Sequence, residues 1–265
     1  MTQNHQGIYQ HAELYDIAFD YRNVAQETDF LLGLYQAQHQ TKPARVLELA
    51  AGPARHALEC ARQGLHATAL DLSAEMLAYA SSLAQAADLP LTTLQADMRE
   101  FQLDQPVDLA FTLLDSTAYL LTQADFLNHL GAVASQLQPG GLYVMEMSHP
   151  ADFLTPHKRA STDWEMERGP LKVDISWGHP DDFFDPVSQI TDVQVRLYAE
   201  GPDGPLELAV QAPQRCYTFQ EVQALVRCQS DFKLVQTYGA FDTDFALDDE
   251  RAWRMIVVLQ NSAEA

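Results

Sequence analysis

Ala44-Arg45-Val46-Leu47-Glu48-Leu49-Ala50-Ala51-Gly52-Pro53-Ala54-Arg55-His56 is an apolar run of strand length that carries an acid, opens into a turn of small residues and continues as a helix. Ala67-Thr68-Ala69-Leu70-Asp71-Leu72-Ser73 and Gln95-Ala96-Asp97-Met98 follow, each an apolar run ending in an acid. This is the pattern of a nucleotide-binding βαβ unit, and it points to a nucleoside ligand. Asp71 lies 19 residues after Gly52, the distance one helix and one strand require, and a carboxylate there can accept both ribose hydroxyls. Small residues between Glu48 and Ala54 let backbone N–H groups approach a ligand that a larger side chain would push away. A tight strand-to-helix turn with no ligand is the alternative, but packing alone does not explain three acid-terminated strands in succession.

A dinucleotide site wants three glycines spaced G-x-G-x-x-G to seat a pyrophosphate, and here only Gly52 is a glycine. That disfavours an NAD-type oxidoreductase. S-adenosylmethionine has no phosphate and presents an adenine, a ribose diol, a cationic sulfur, an ammonium and a carboxylate, so acids along its length suit it. Glu48 is then expected at the methionine end, Asp71 at the ribose and Asp97 at the adenine amino group.

On these residues the chain resembles the class I S-adenosylmethionine-dependent methyltransferases. Glu48-Leu49-Ala50-Ala51-Gly52-Pro53-Ala54 corresponds to the family's first motif and Asp71-Leu72-Ser73-Ala74-Glu75-Met76-Leu77 to its second. Asp97-Met98 matches the adenine-side acid, Val107-Asp108-Leu109-Ala110-Phe111 the fourth strand, and Leu137-Gln138-Pro139-Gly140-Gly141 the turn before the fifth. The resemblance implies S-adenosyl-L-methionine as cofactor, held along Glu48, Ala50, Gly52, Asp71, Leu72, Met76, Asp97, Met98 and Leu114. It also implies a Rossmann-like seven-stranded α/β sheet. Alanine at 50 and 54 departs from the family's glycines, and either costs about 1 kcal/mol or more if its φ is positive.

The chain is 265 residues long and 47% hydrophobic, enough for one large α/β unit plus an elaboration. No apolar run approaches a membrane span, and the polar start resembles no secretory signal, so a cytoplasmic protein is expected. Cys60, Cys216 and Cys228 suggest neither a disulfide framework nor a metal site. With 37 acidic and 16 basic residues the net charge is −21, which repels nucleic acid and anionic membranes and leaves small molecules or another protein as partners.

Periodicity predicts helices within 8–39, strands near 45–50, 66–71, 91–95, 107–114 and 141–148, and intervening helices, one started by Ser73 and one over 125–137 stopped by Pro139-Gly140-Gly141. Leu171–Trp177, Gln189–Tyr198 and Leu206–Gln211 alternate apolar and polar residues, the mark of an antiparallel sheet inserted before a helix over 218–228 and a closing hairpin, 232–238 with 253–260. Three units follow: 1–149 as N-terminal helices and cofactor core, 150–215 as the β insertion, and 216–265 completing the core sheet. The insertion reads as a lid over the acceptor or a platform for a homodimer, with cofactor binding independent of it; a structural flap is the alternative.

An antiparallel insertion at this place is similar to that of the small-molecule branch of the family, including sugar N-methyltransferases. Tyr15-Asp16-Ile17-Ala18-Phe19-Asp20-Tyr21-Arg22 also resembles the branch's aromatic N-terminal helix, which implies that Tyr15, Tyr21 and Arg22 meet the methionine carboxylate. Core-edge packing is the other reading of the tyrosines. Asp115 and His149, at strand ends near the expected methyl, are candidate general bases, against a helix cap and a strand-exit histidine. Methyl transfer to a small-molecule amine or hydroxyl is the function expected. A non-catalytic S-adenosylmethionine-binding protein is the alternative.

Overall fold

The computed structural model describes residues 6–154, 162–229 and 231–262. Three helices open the chain: α1 (Gln6–Tyr9), α2 (Ala12–Ala18) and α3 (Val24–His39). Asn23 caps α3 by accepting from Gln26 N–H, and Gln40 ends it in the left-handed region.

Then β1 (Arg45–Leu49), α4 (Arg55–Arg62), β2 (His66–Asp71), α5 (Ala74–Ala86), β3 (Leu91–Gln95), β4 (Val107–Thr112), α6 (Gln123–Gln136) and β5 (Leu137–Ser148) build the parallel part of a sheet. Its order is β11-β12-β5-β4-β1-β2-β3, with β11 (Phe232–Tyr238) and β12 (Arg254–Asn261) antiparallel. The central strands β1, β4 and β12 are buried on both faces, as continuous apolar runs such as Met255-Ile256-Val257-Val258-Leu259 require. Ser73 caps α5 through Met76 N–H, which turns Met76, Leu77 and Ala80 inward. Thr122 and Asp125 form a reciprocal capping box on α6.

The expected stop at Pro139-Gly140-Gly141 is an irregularity inside β5. The strand starts at Leu137, and its pairing with β4 slips between Val107↔Leu137 and Leu109↔Leu142. A side chain on Gly141 would lie 2.9 Å from Gln138 O and 3.0 Å from Asp108 O, so only glycine lets the two strands close there.

After α7 (Ala151–Leu154) comes the inserted antiparallel sheet, β6 (Thr162–Arg168), β7 (Leu171–Trp177), β8 (Phe184–Asp185), β9 (Ile190–Glu200) and β10 (Leu206–Arg215), in the order β10-β9-β7-β6 with β8 on β9. Two of these strands, β6 and β8, escape sequence reading. In β6 the inward Trp164 and Met166 alternate with Asp163, Glu165 and Glu167, and the charges mask the pattern. α8 (Phe219–Cys228) then leads back to the main sheet.

The inner face of the inserted sheet, Val173, Ile175, Val195, Leu197 and Ala199, packs on Ile8, Ala12, Tyr15, Ile17, Ala18 and Phe19 of the N-terminal helices. The helices therefore lie between the insertion and the carboxyl edge of the parallel strands.

Candidate cofactor and acceptor site

The β1–α4 turn holds three left-handed residues: Ala50 (φ 49°), Gly52 (φ 52°) and Ala54 (φ 55°). Gly52 N–H donates to Asp71 Oδ2 at 2.7 Å, and Ser73 N–H donates to Asp71 Oδ1 at 2.8 Å. Asp71 thus joins the first motif to the second. Burial raises its carboxyl above the ordinary value, against the backbone donors of Ser73, Gly52 and Leu72. Leu72 beside it is 43% exposed. A Cβ placed on Gly52 would meet only Tyr15 Cε1, at 3.7 Å, so the turn faces space roofed by an aromatic ring.

Glu48 points the other way. Its Oε2 accepts Ala57 N–H at 2.7 Å and its Oε1 lies 3.4 Å from His56 Nδ1, beneath the start of α4. Where the methionine end was expected, the carboxylate satisfies an orphan helix donor. Met76, also expected at the cofactor, is 1% exposed within the apolar layer that joins α2 to the inserted sheet.

Arg99 clasps Asp97 through Nε at 3.0 Å and Nη2 at 2.7 Å and reaches Asp125 at 2.7 Å, and these bonds hold the Asp97 carboxyl below its usual range. Beneath it, His129 Nδ1 donates to Met98 O at 2.8 Å, and its Nε2 accepts from the Tyr143 hydroxyl at 2.6 Å. Burial lowers the His129 pKa to about 4, so this buttress is neutral.

Tyr15 is buried between Tyr9 and Phe19, with ring centroids 5.5 and 4.7 Å away. Tyr21 is 48% exposed and stacks edge-on against Trp164. Arg22 turns inward, and both arms are spent. Nη1 and Nη2 hold the two oxygens of Glu146 at 2.8 and 2.9 Å, while Nε and Nη2 hold Glu27 at 3.0 and 2.8 Å. Here the guanidinium serves two buried acids, where a ligand carboxylate was expected.

From Arg22 a buried chain of alternating charge runs both ways. His56 Nε2 lies 2.7 Å from Glu27 and connects to Glu48; Arg254 Nε lies 2.9 Å from Glu146. Glu146 Oε2 also accepts Leu114 N–H at 2.9 Å, and Glu146 O accepts Asp115 N–H at 3.1 Å. Leu114 and Asp115 are both left-handed, φ 53° and 55°. Glu146 therefore shapes the turn that presents Asp115.

Burial pushes the Asp115 carboxyl up to about 6, against the Ser148 hydroxyl that donates to it at 2.5 Å. His149 is no free base: its Nε2 donates to Leu247 O at 3.1 Å and its Nδ1 accepts Ala151 N–H at 3.2 Å. These bonds favour the strand-exit histidine over the candidate base.

Between Asp115 and the inserted sheet sits a group that sequence reading missed. The Tyr9 and Tyr119 hydroxyls bond at 2.7 Å, Gln214 donates to Tyr119 at 3.3 Å, and Trp177 and Val195 complete a small aromatic recess. These residues come from five elements far apart in the chain, and no spacing could have joined them. His157-Lys158-Arg159, a short basic run of the sequence, lies outside the described residues.

Residues 46–141 match the family model of a methyltransferase domain. Over 139 residues the chain is 28% identical to the dTDP-3-amino-3,4,6-trideoxy-alpha-D-glucopyranose N,N-dimethyltransferase of Streptomyces venezuelae, a match covering 51% of this chain and 56% of that protein. The chain spans about half the length of the curated relatives it matches. Among solved structures it is similar to an S-adenosylmethionine-dependent methyltransferase from Clostridium acetobutylicum ATCC 824, with TM-score 0.77, 16% identity, and 96% and 98% of the two chains covered. Streptomyces venezuelae DesVI gives TM-score 0.76 at 20% identity over 96% and 98%. Residues 46–141 thus carry a methyltransferase domain, and the chain as a whole adopts the fold of the S-adenosylmethionine-dependent methyltransferase structures it resembles.

Proposed function

We propose that the chain transfers a methyl group from S-adenosylmethionine to an amine of a small molecule. The observation that carries this reading is the left-handed turn Ala50–Ala54, open in front of Gly52, bonded to Asp71 and roofed by Tyr15 at the carboxyl edge of the parallel strands. The residues fit the cofactor. Each Asp71 oxygen keeps acceptor capacity after its backbone donor, matching two ribose hydroxyls.

When bound, the cofactor supplies a methyl group on a cationic sulfur, open to in-line attack by a lone pair. The protein holds the nucleoside with the turn and Asp71, and α1, α2 and the inserted sheet exclude water. In this division of labour, 1–149 and 216–265 hold the cofactor and 150–215 covers the acceptor. As the N–C bond forms and the C–S bond breaks, the new ammonium sheds a proton. Asp115, with a carboxyl near 6, is mostly ionised at neutral pH and can take it. A hydroxyl acceptor needs a stronger base, and His149, with both nitrogens spent, offers none. An amine acceptor is also what the Streptomyces venezuelae relative is named for.

The test titrates S-adenosylhomocysteine into the wild type and Asp71→Ala, then follows methyl transfer to a panel of amines and amino sugars, free and nucleotide-linked, beside their hydroxyl counterparts. Asp71→Ala is expected to bind at least tenfold more weakly, about 1.4 kcal/mol, and turnover is expected with amines only. A wild type that does not bind, or one that methylates only hydroxyls, would sink the reading.

A further inference from the structure

Asp16 of α2 joins four elements. Its side chain is 4% exposed and both oxygens are taken. Oδ1 accepts from Arg55 Nε, and Oδ2 accepts from Arg168 Nη1 at 2.7 Å and from the Tyr79 hydroxyl at 3.1 Å. Its main-chain oxygen takes Arg55 Nη2 at 2.6 Å. Asp20 stands beside both guanidinium groups, 3.0 Å from Arg55 Nη2 and 3.1 Å from Arg168 Nη2. Two acids and two arginines thus form a closed, neutral square. Burial would raise the Asp16 carboxyl, yet Arg55 and Arg168 hold it below its usual range.

The corners of this square belong to parts with different tasks. Arg55 is the first residue of α4, directly after Ala54, which has a left-handed backbone and no capping side chain. The first turn of α4 is therefore held from outside, by Asp16 on Arg55 as well as by Glu48 beneath Ala57. Arg168 is the last residue of β6, in the inserted sheet. One carboxylate shared between two guanidinium groups cannot change its hold on one without changing what it offers the other.

We propose that Arg168 is a positioning residue for the cofactor turn: the inserted sheet, acting through Asp16 and Arg55, sets the affinity of that turn for its nucleoside. This rests on the cofactor reading above. It replaces the expectation that cofactor binding is independent of the insertion. Since linkage is reciprocal, an acceptor that steadies β6 tightens the cofactor, and the cofactor steadies β6 for the acceptor.

Calorimetric titration of S-adenosylhomocysteine into the full chain tests this with Arg168→Gln, Arg168→Lys and, as control, Lys172→Gln. Lys172 pairs with Glu165 on the solvent side of the same sheet, with 38% and 49% of the two side chains exposed. Arg168 is 36% exposed, so its loss leaves the fold intact, and thermal melts are expected to stay within a few degrees of wild type. Arg168→Gln is expected to weaken binding at least fivefold, Arg168→Lys to recover part of that loss, and Lys172→Gln to bind as wild type. Wild-type affinity in Arg168→Gln would overturn the proposal. So would a loss matched by a comparable fall in melting temperature, or an equal loss in Lys172→Gln. A wild type that does not bind overturns the cofactor reading instead.

Discussion

Ala50 and Ala54 occupy backbone conformations in which a Cβ crowds the following carbonyl, at about 1–2 kcal/mol each. Ala54 has no exposed surface, so no compensating contact with solvent relieves it. Ala54→Gly is expected to raise stability by up to about 1 kcal/mol, the relief of strain less the extra freedom glycine gives the unfolded chain, read from the urea midpoint. His56 makes a second prediction. Burial would lower its pKa, but bonds to Glu27 and Glu48 raise it to about 9, above the unfolded value near 6.5. A raised folded pKa gives stability that is full below 6.5 and lost as pH climbs through 9. Urea midpoints are expected to fall between pH 7 and 10, and His56→Gln, less stable at pH 7, is expected to fall less. The acids of the motifs were legible as acids, and Asp71 with Gly52 as a pair. The direction of Glu48 was not legible, because it is set by Ala57 N–H and by His56, whose other nitrogen is held by Glu27 from a helix outside the motif.

At the scale of elements the strands read well wherever burial imposes a pattern. Doubly buried β1, β4 and β12 show as apolar runs, and half-buried β7, β9 and β10 show as alternation. Ser73 and Thr218 mark helix starts by the chemistry of their hydroxyls, whereas Thr122, the cap of α6, lies before the start expected at 125. Reading fails where a turn signal is recruited into a strand. Pro139-Gly140-Gly141 has turn composition, yet β4 pairs across it and makes it a bulge. Gly141→Ala is expected to destabilise by about 1–3 kcal/mol, since its methyl must displace backbone oxygens at 2.9 and 3.0 Å, whereas Gly33→Ala, with nothing within 4 Å, is expected to stabilise. Chemical denaturation of the two variants side by side checks the contrast.

Across the whole molecule the largest illegible feature is the buried chain Glu48–His56–Glu27–Arg22–Glu146–Arg254, three acids against three cations. No sequence pattern links residues so far apart. Glu146 is its centre, with no exposed surface, held by cations from near the first helices and from the last strand. Glu146→Gln strands two guanidinium groups and loosens the Leu114–Asp115 turn, and is expected to lose about 3–5 kcal/mol in urea denaturation. The position of β12 carries a consequence for biosynthesis. It is the last of the described strands to be made, yet it lies inside the sheet, between β11 and β5. Until it leaves the ribosome β11 has no partner strand among the described residues, β5 presents a bare edge, and Glu146 lacks Arg254. A nascent chain stalled or clipped before β12 would therefore be sticky and open to proteases, and the sheet closes only once β12 is in place.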